Sequence, residues 1–205
     1  ILLKHKLSAT FFIATGFLDG GRMWNDTIVE SVRSYSRATL DLNPVGLGAY
    51  SVGSDHEKCE AIAAIISKVK YRSTIERVEI TERIANLANA LPPNDLMMTT
   101  QQLRNMREAG MQIGAHTISH PILASIDPVE ARCEMAESKT FLEKLLGERV
   151  SLFAYPNGKP GQDYTLTSAD LVRRAGFDAA VSTQWGSTRQ GDDLYQIRRF
   201  TAWDS

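Results

Sequence analysis

Residues 110–121 read Gly-Met-Gln-Ile-Gly-Ala-His-Thr-Ile-Ser-His-Pro. Within them, Gln112–His116 is a short, largely apolar run, and such a run between turn residues predicts a strand covered on both faces. His116 ends this predicted strand and His120 follows it in the next turn of the chain. Because ligands of α/β sheets and barrels bind at the carboxyl ends of the strands, this stretch indicates both a fold class and a candidate site.

The order of helix, glycine and strand occurs three times along the chain. Capping residues at the start and glycines at the end predict the helices Thr99–Gly110, Asp127–Leu146 and Thr167–Ala175. Short apolar runs predict the strands Thr10–Thr15, Gln112–His116, Ser151–Tyr155, Asp178–Thr183 and Tyr195–Ala202. Strands that alternate with helices of this length pair in parallel through right-handed crossovers, so we expect an α/β fold.

The region from about residue 41 to residue 93 breaks this alternation. A glycine-containing loop at Asn43–Gly53 is followed by two helical patterns, Glu57–Lys70 and Ser73–Leu91. We interpret the region as a mostly helical insertion within a single domain that spans residues 1–205. A chain of this mass buries roughly 70% of its unfolded surface, which is enough for one sizeable core.

Composition excludes several classes of protein. With 43% hydrophobic and 23% charged residues the chain is neither disordered nor membrane-embedded. Its 23 basic and 24 acidic residues argue against a nucleic-acid partner bound through its phosphates. No apolar run approaches the roughly 18 residues of a membrane-spanning segment. Basic side chains interrupt the first ten residues, so no signal peptide is expected, and the compartment stays open between cytoplasm and cell envelope.

The two cysteines, Cys59 and Cys133, have no spacing typical of a metal site. We expect two buried free thiols, and the sequence alone leaves a disulfide open.

Histidine nitrogens suit zinc, cobalt, nickel or iron, and His116 and His120 reach one ion if the segment turns. The segment lacks the glutamate of an HExxH motif, so a zincin-type protease is not indicated. Two polar loop histidines without a metal are the alternative.

A second strand end carries the sequence Phe-Ala-Tyr-Pro-Asn-Gly at residues 153–158. Pro156 and Gly158 favour a tight turn that aims the backbone N–H of Asn157 toward the same edge, where it would stabilise an oxyanion; a plain turn is the alternative. Tryptophans near such an edge form flat platforms for sugar rings, although most belong to the core; the candidates are Trp24, Trp185 and Trp203.

Four segments in this order resemble the polysaccharide deacetylase family, also called the NodB-homology group or carbohydrate esterase family 4. They are KHKLSATFFIATGFLDGG, TTQQLRNMREAGMQIGAHTISH, FAYPNG and GFDAAVS. The resemblance implies a distorted (β/α) barrel that binds a divalent metal, most often zinc, and hydrolyses acetyl groups on a polysaccharide or another acetylated sugar. His116 and His120 would be metal ligands and Thr117 would brace their loop. Asn157 would face the oxyanion, and Trp24, Pro156, Trp185 and Arg198 would contact substrate.

The family's T-F-D-D-G motif, which supplies a third ligand and the general base, belongs upstream of Ile1. We therefore expect a barrel without its first strand, in either a truncated or a degenerate copy. An apolar edge at Thr10–Thr15 favours truncation, because an exposed strand edge invites aggregation. Arg198 stands where many members have a histidine.

Two other functions stay open. A degenerate copy would be a non-catalytic carbohydrate-binding module. An enzyme of the same fold would be an amidase acting on a small cyclic amide.

Overall fold

The structure, a computed structural model, describes residues 1–200. The strands are β1 (Thr10–Ile13), β2 (Thr39–Asp41), β3 (Ala49–Ser51), β4 (Gln112–Ala115), β5 (Leu152–Ala154) and β6 (Ala179–Val181). The α-helices are α1 (Trp24–Ser34), α2 (Asp55–Val69), α3 (Thr74–Leu87), α4 (Thr100–Glu108), α5 (Pro128–Leu146) and α6 (Leu166–Arg174). The chain divides into two compact units, one formed by Ile1–Leu18 with the chain from Met98 onward, the other by Asp19–Met97.

The first unit contains a parallel sheet in the order β1-β4-β5-β6. The predicted α/β class with a parallel sheet is confirmed. Within residues 1–200 the sheet is an open arc: no strand pairs with the outer edge of β1, and a single bridge joins Val181 of β6 to Ile197. All four strands run in one direction, so their carboxyl ends lie along one edge.

The central strand β4 is more buried than the edge strand β1. In β4 the residues from Ile113 to Ala115 are buried and only Gln112 is exposed. In β1 only Ile13 is buried, and the other three residues are half-buried. An edge strand has a neighbour on one side only, and its other flank stays open.

The helices that frame the strands begin and end where their capping residues predict. The Thr99 side chain accepts from the amide of Gln102 at the start of α4. The Asp127 carboxylate accepts from Val129 N at 2.7 Å at the start of α5, which ends at the left-handed Gly147. These two predicted helices are confirmed.

The predicted strand Tyr195–Ala202 is wrong in its described part, and its last two residues lie outside residues 1–200, as does Trp203. Residues Leu194–Gln196 form a 3-10 helix instead, because the Asp193 carboxylate accepts from Tyr195 N at 3.0 Å and turns the chain. Among the described residues of this segment, Ile197 alone bridges to the sheet.

The second unit is mostly helical. Both predicted helices are present, as α2 and α3, and they pack with α1 around a buried apolar core. The antiparallel pair of β2 and β3 was not predicted, because β3 lies inside the segment interpreted as a loop, Asn43–Gly53. The single domain over residues 1–205, with a mostly helical insertion at about 41–93, stays a prediction.

Two further expectations concern cysteines and membranes. Both cysteines are free, but Cys59 is exposed and Cys133 half-buried, so the expected burial of both thiols is wrong. Among residues 1–200, no helix has the length and apolarity needed to cross a membrane.

The pairing of β1 with β4 requires a glycine at residue 114. Gly114 lies directly opposite Phe12, whose ring occupies the space of a side chain at residue 114: a Cβ built there is 2.5 Å from the ring and 3.0 Å from the Leu152 carbonyl oxygen. We therefore expect Gly114→Ala to lower the free energy of unfolding by about 1–3 kcal/mol, as overpacked core positions do, measured by urea denaturation.

The control is Gly53→Ala, at an exposed glycine whose added Cβ makes only ordinary contacts. It should change the free energy of unfolding by less than about 0.5 kcal/mol. Equal effects of the two substitutions would contradict the close approach of Phe12 as the cause.

Candidate active site

The two predicted histidines lie together at the carboxyl end of β4. Their ring centroids are 4.7 Å apart and the rings are inclined at 71°. Nδ1 of His116 lies 2.7 Å from the carbonyl oxygen of Ala154, the last residue of β5. A carbonyl only accepts, so Nδ1 must carry the proton, and in the neutral ring the lone pair is then on Nε2.

The protonation state of His116 is set by its surroundings. Burial lowers its pKa to about 4, because a charged imidazolium loses hydration there. The bond to the Ala154 carbonyl opposes this shift, and the positive charge of Arg199 adds to it. His116 is therefore a neutral imidazole at neutral pH, which is the form that binds metals.

Thr117 forms the turn that brings the rings together. It is fully buried, and its hydroxyl donates to the His116 carbonyl oxygen and accepts from His120 N, the latter at 3.1 Å. Thr117 and His120 have φ values of 68° and 56°, in the left-handed region that few non-glycine residues occupy. The predicted bracing role of Thr117 stays a prediction, and these contacts support it.

The backbone of the turn is also held by neighbouring elements. Thr15 N donates to the Thr117 carbonyl at 3.0 Å and Gly16 N to the Ile118 carbonyl at 2.9 Å. A Cβ on Gly16 would lie 2.8 Å from that Ile118 oxygen, so only glycine permits the approach. The carboxylate of Glu134 on α5 contacts the turn as well, a partner that the sequence analysis missed.

The histidine pair fits two positions of a divalent metal site. Imidazole nitrogens are zinc ligands, and a ring whose second nitrogen is fixed by a backbone carbonyl is the usual arrangement around zinc. Residues 1–200 hold no group of three or more His, Cys, Asp or Glu side chains placed to bind one metal ion. Metal binding by His116 and His120 stays a prediction.

The turn after β5 places Asn157 at the same edge of the sheet. Asn157 has a left-handed φ of 60°, and its carbonyl accepts from the Thr183 hydroxyl at 2.8 Å. Within residues 1–200 its N–H makes no backbone hydrogen bond. Pro156 and Gly158 on either side are buried. The oxyanion role of Asn157 and the substrate contact of Pro156 stay predictions.

The remaining predicted residues have different environments. Trp185 is 63% exposed and meets Phe200 edge to face, with ring centroids 4.7 Å apart. Trp24 belongs to the helical unit, where it packs on the apolar core with the Arg77 guanidinium 5.4 Å from its ring. Arg198 and Arg199 are both exposed. Arg199, which was not among the predicted site residues, is the arginine whose positive charge lowers the pKa of His116.

Comparison with known proteins gives a family. Residues 50–180, more than half of the chain, match the family model described as polysaccharide deacetylase. The protein YxkH of Bacillus subtilis strain 168, which bears a provisional polysaccharide deacetylase name, is 28% identical over 102 residues; the match covers 50% of this chain and 35% of YxkH.

Two solved structures are also similar. IcaB from Ammonifex degensii is 18% identical with a TM-score of 0.55, over 97% of this chain and 57% of that one, which shows a shared fold. The Streptococcus pyogenes deacetylase PplD in complex with acetate is 25% identical with a TM-score of 0.47, over 62% and 60% of the two chains. The chain thus spans about a third of YxkH and less than two thirds of either structure.

The surroundings of His116 predict its titration. We expect the imidazole midpoint near pH 4, well below the value of about 6.5 for a free histidine, measured by heteronuclear NMR of the ring nitrogens. Between these pH values the unfolded chain binds more protons than the native one. The free energy of unfolding therefore falls as the pH drops through this range.

Arg199→Gln should raise the His116 midpoint, because it removes a positive charge that acts on the ring. Arg198→Gln, at the neighbouring and also exposed arginine, is the matched control and should leave the His116 midpoint unchanged. A midpoint near pH 6.5 in the unsubstituted chain would contradict the burial of the ring.

Proposed function

Because the chain belongs to the polysaccharide deacetylase family, we propose that it removes acetyl groups from the nitrogen or oxygen atoms of an acetylated polysaccharide, with a divalent metal, zinc first, held in part by His116 and His120. The observation that carries the proposal is the imidazole pair, whose centroids are 4.7 Å apart, with the Nδ1 proton of His116 engaged by a backbone carbonyl. This leaves Nε2 of that ring as a donor to a metal.

Four residues of the chain have a role in this proposal: His116, His120, Thr117 and Asn157. A divalent ion, when bound, supplies Lewis-acid activation of water and of the acetyl carbonyl. His116 and His120 hold the ion, and the buried hydroxyl of Thr117 fixes the turn between them. The Thr183 hydroxyl donates to the Asn157 carbonyl and holds this turn. The N–H of Asn157 donates to the acetyl carbonyl oxygen, which gains negative charge when water adds to the carbonyl carbon.

The sugar platform is the exposed pair of Trp185 and Phe200. Exposed aromatic faces bind the apolar faces of sugar rings, and this pair lies beyond β6, in the unit that carries His116. Pro156 and Arg198 remain proposed substrate contacts, and the contact of Trp24 stays a prediction from the resemblance.

Zinc binding tests the metal site directly. We expect isothermal titration of the metal-free chain with Zn²⁺ to show one site, and the His116→Ala/His120→Ala variant to lose at least about a hundredfold in affinity, because both donors are removed. The control is His5→Ala/His56→Ala, which removes the other two histidines and should bind as the unsubstituted chain does. Unchanged affinity of the first variant would contradict the site.

Acetate release tests the reaction. The zinc-loaded chain is incubated with an oligomer of N-acetylglucosamine and with a cyclic imide, and acetate and ring opening are measured. Acetate release that the His116→Ala/His120→Ala variant lacks supports the proposal. Binding of the oligomer without acetate release at saturating zinc would identify a carbohydrate-binding module, and ring opening alone would identify an amidase.

A further inference from the structure

We propose that Glu134 is a positioning residue for the histidine pair: its carboxylate, on helix α5, holds the turn that sets the rings of His116 and His120 side by side. The consequence for metal binding rests on the proposed function. The positioning itself is a property of the metal-free chain and is tested separately below.

Three hydrogen bonds join Glu134 to the turn. Oε2 accepts from the backbone N–H of Ile118 at 2.7 Å and of Ser119 at 2.9 Å. Oε1 accepts from the Ser119 hydroxyl at 2.6 Å. A carboxylate acceptor makes shorter and stronger bonds than a neutral one, and both of its oxygens are used here.

The turn needs such a partner because its backbone is unfavourable by itself. Thr117 and His120, on either side of the two residues that Glu134 binds, have left-handed φ values. Residues with a side chain keep this conformation only where the surrounding structure determines it. Gly16 N binds the Ile118 carbonyl from the β1 side, and Glu134 binds the Ile118 N–H from the α5 side. The Ile118 main chain is thereby fixed at both of its polar groups.

Helix α5 fixes the position of Glu134 in turn. The buried face of the helix includes Ala131, Met135 and Ser138, which anchor it to the first unit. Glu134 is half-buried next to this face. Its reach is therefore set by the length of its own side chain, and shortening it by one methylene in Glu134→Asp should break the contacts.

Glutamine at this position retains the reach. Its amide oxygen replaces Oε2 as acceptor for the two N–H groups, and its NH₂ group donates to the Ser119 oxygen. We expect Glu134→Gln to keep the turn, whereas Glu134→Ala and Glu134→Asp lose it. This pattern distinguishes a contact at a defined distance from a general need for negative charge.

The first experiment is NMR of the metal-free chain. In Glu134→Ala and Glu134→Asp we expect hydrogen exchange of the Ile118 and Ser119 amides to accelerate at least about tenfold and the NOE between the two imidazole rings to disappear. Glu134→Gln should stay within about threefold of the unsubstituted chain. Glu137→Ala, an exposed glutamate on the same helix, is the matched control and should change neither signal.

The second experiment is Co²⁺ titration followed by visible absorption. We expect Glu134→Ala and Glu134→Asp to bind about 10–100-fold more weakly, as is usual when a residue that orients a metal ligand is lost. Glu134→Gln and Glu137→Ala should bind as the unsubstituted chain does.

The two experiments test the positioning role of Glu134 and the proposed metal site separately. Unchanged amide exchange and ring NOE in Glu134→Ala would overturn the positioning role; if that variant does not fold, the same signals in Glu134→Asp decide, with Glu134→Gln as reference. Absence of Co²⁺ binding by the unsubstituted chain would overturn the proposed metal site and leave the NMR result as the test of Glu134.

Discussion

The Ile118 main chain is bound on both sides, by the Gly16 N–H at its carbonyl and by Glu134 at its amide, and the candidate site depends on this double attachment. The first contact exists because β1 pairs in parallel with β4, so the residues that follow the two strands lie side by side. The second exists because α5 packs its apolar face on the same unit. The turn between His116 and His120 is therefore fixed by the sheet and by a helix together.

This arrangement also determines the chemistry of His116. Burial disfavours the imidazolium, and the carbonyl of Ala154, on the neighbouring strand β5, fixes the proton on Nδ1. Both effects follow from the position of the ring at the end of a parallel strand whose neighbour ends at the same edge. The ring is therefore neutral with its lone pair on Nε2, and the backbone of the sheet holds it in place.

The parts of this structure that local chemistry determines could be predicted from the sequence. Asp127, Pro128 and Gly147 fix the ends of α5 through caps, and the histidine pair follows from the position of a strand. Helix α1 was missed although Ile28 and Val32, four residues apart and fully buried, carried its signal.

Contacts between segments that are distant in sequence could not be predicted in this way. The bonds from Glu134 to Ile118 and Ser119 span 16 and 15 positions between a helix and a turn, and no spacing rule points to them. The strand expected at Tyr195–Ala202 has the composition of a strand, but the Asp193 side chain turns its first residues into a 3-10 helix. The effect of the Arg199 charge on the pKa of His116 joins residues 83 positions apart, so no sequence spacing points to it.

X-ray absorption at the zinc edge of the zinc-loaded full chain tests the central claim most directly. If His116 and His120 hold the metal, the spectrum contains the scattering of two imidazoles, with Zn–N distances of about 2.0–2.1 Å. In the His116→Ala/His120→Ala variant that scattering disappears. A spectrum with oxygen ligands only, or one that this variant leaves unchanged, would contradict the account.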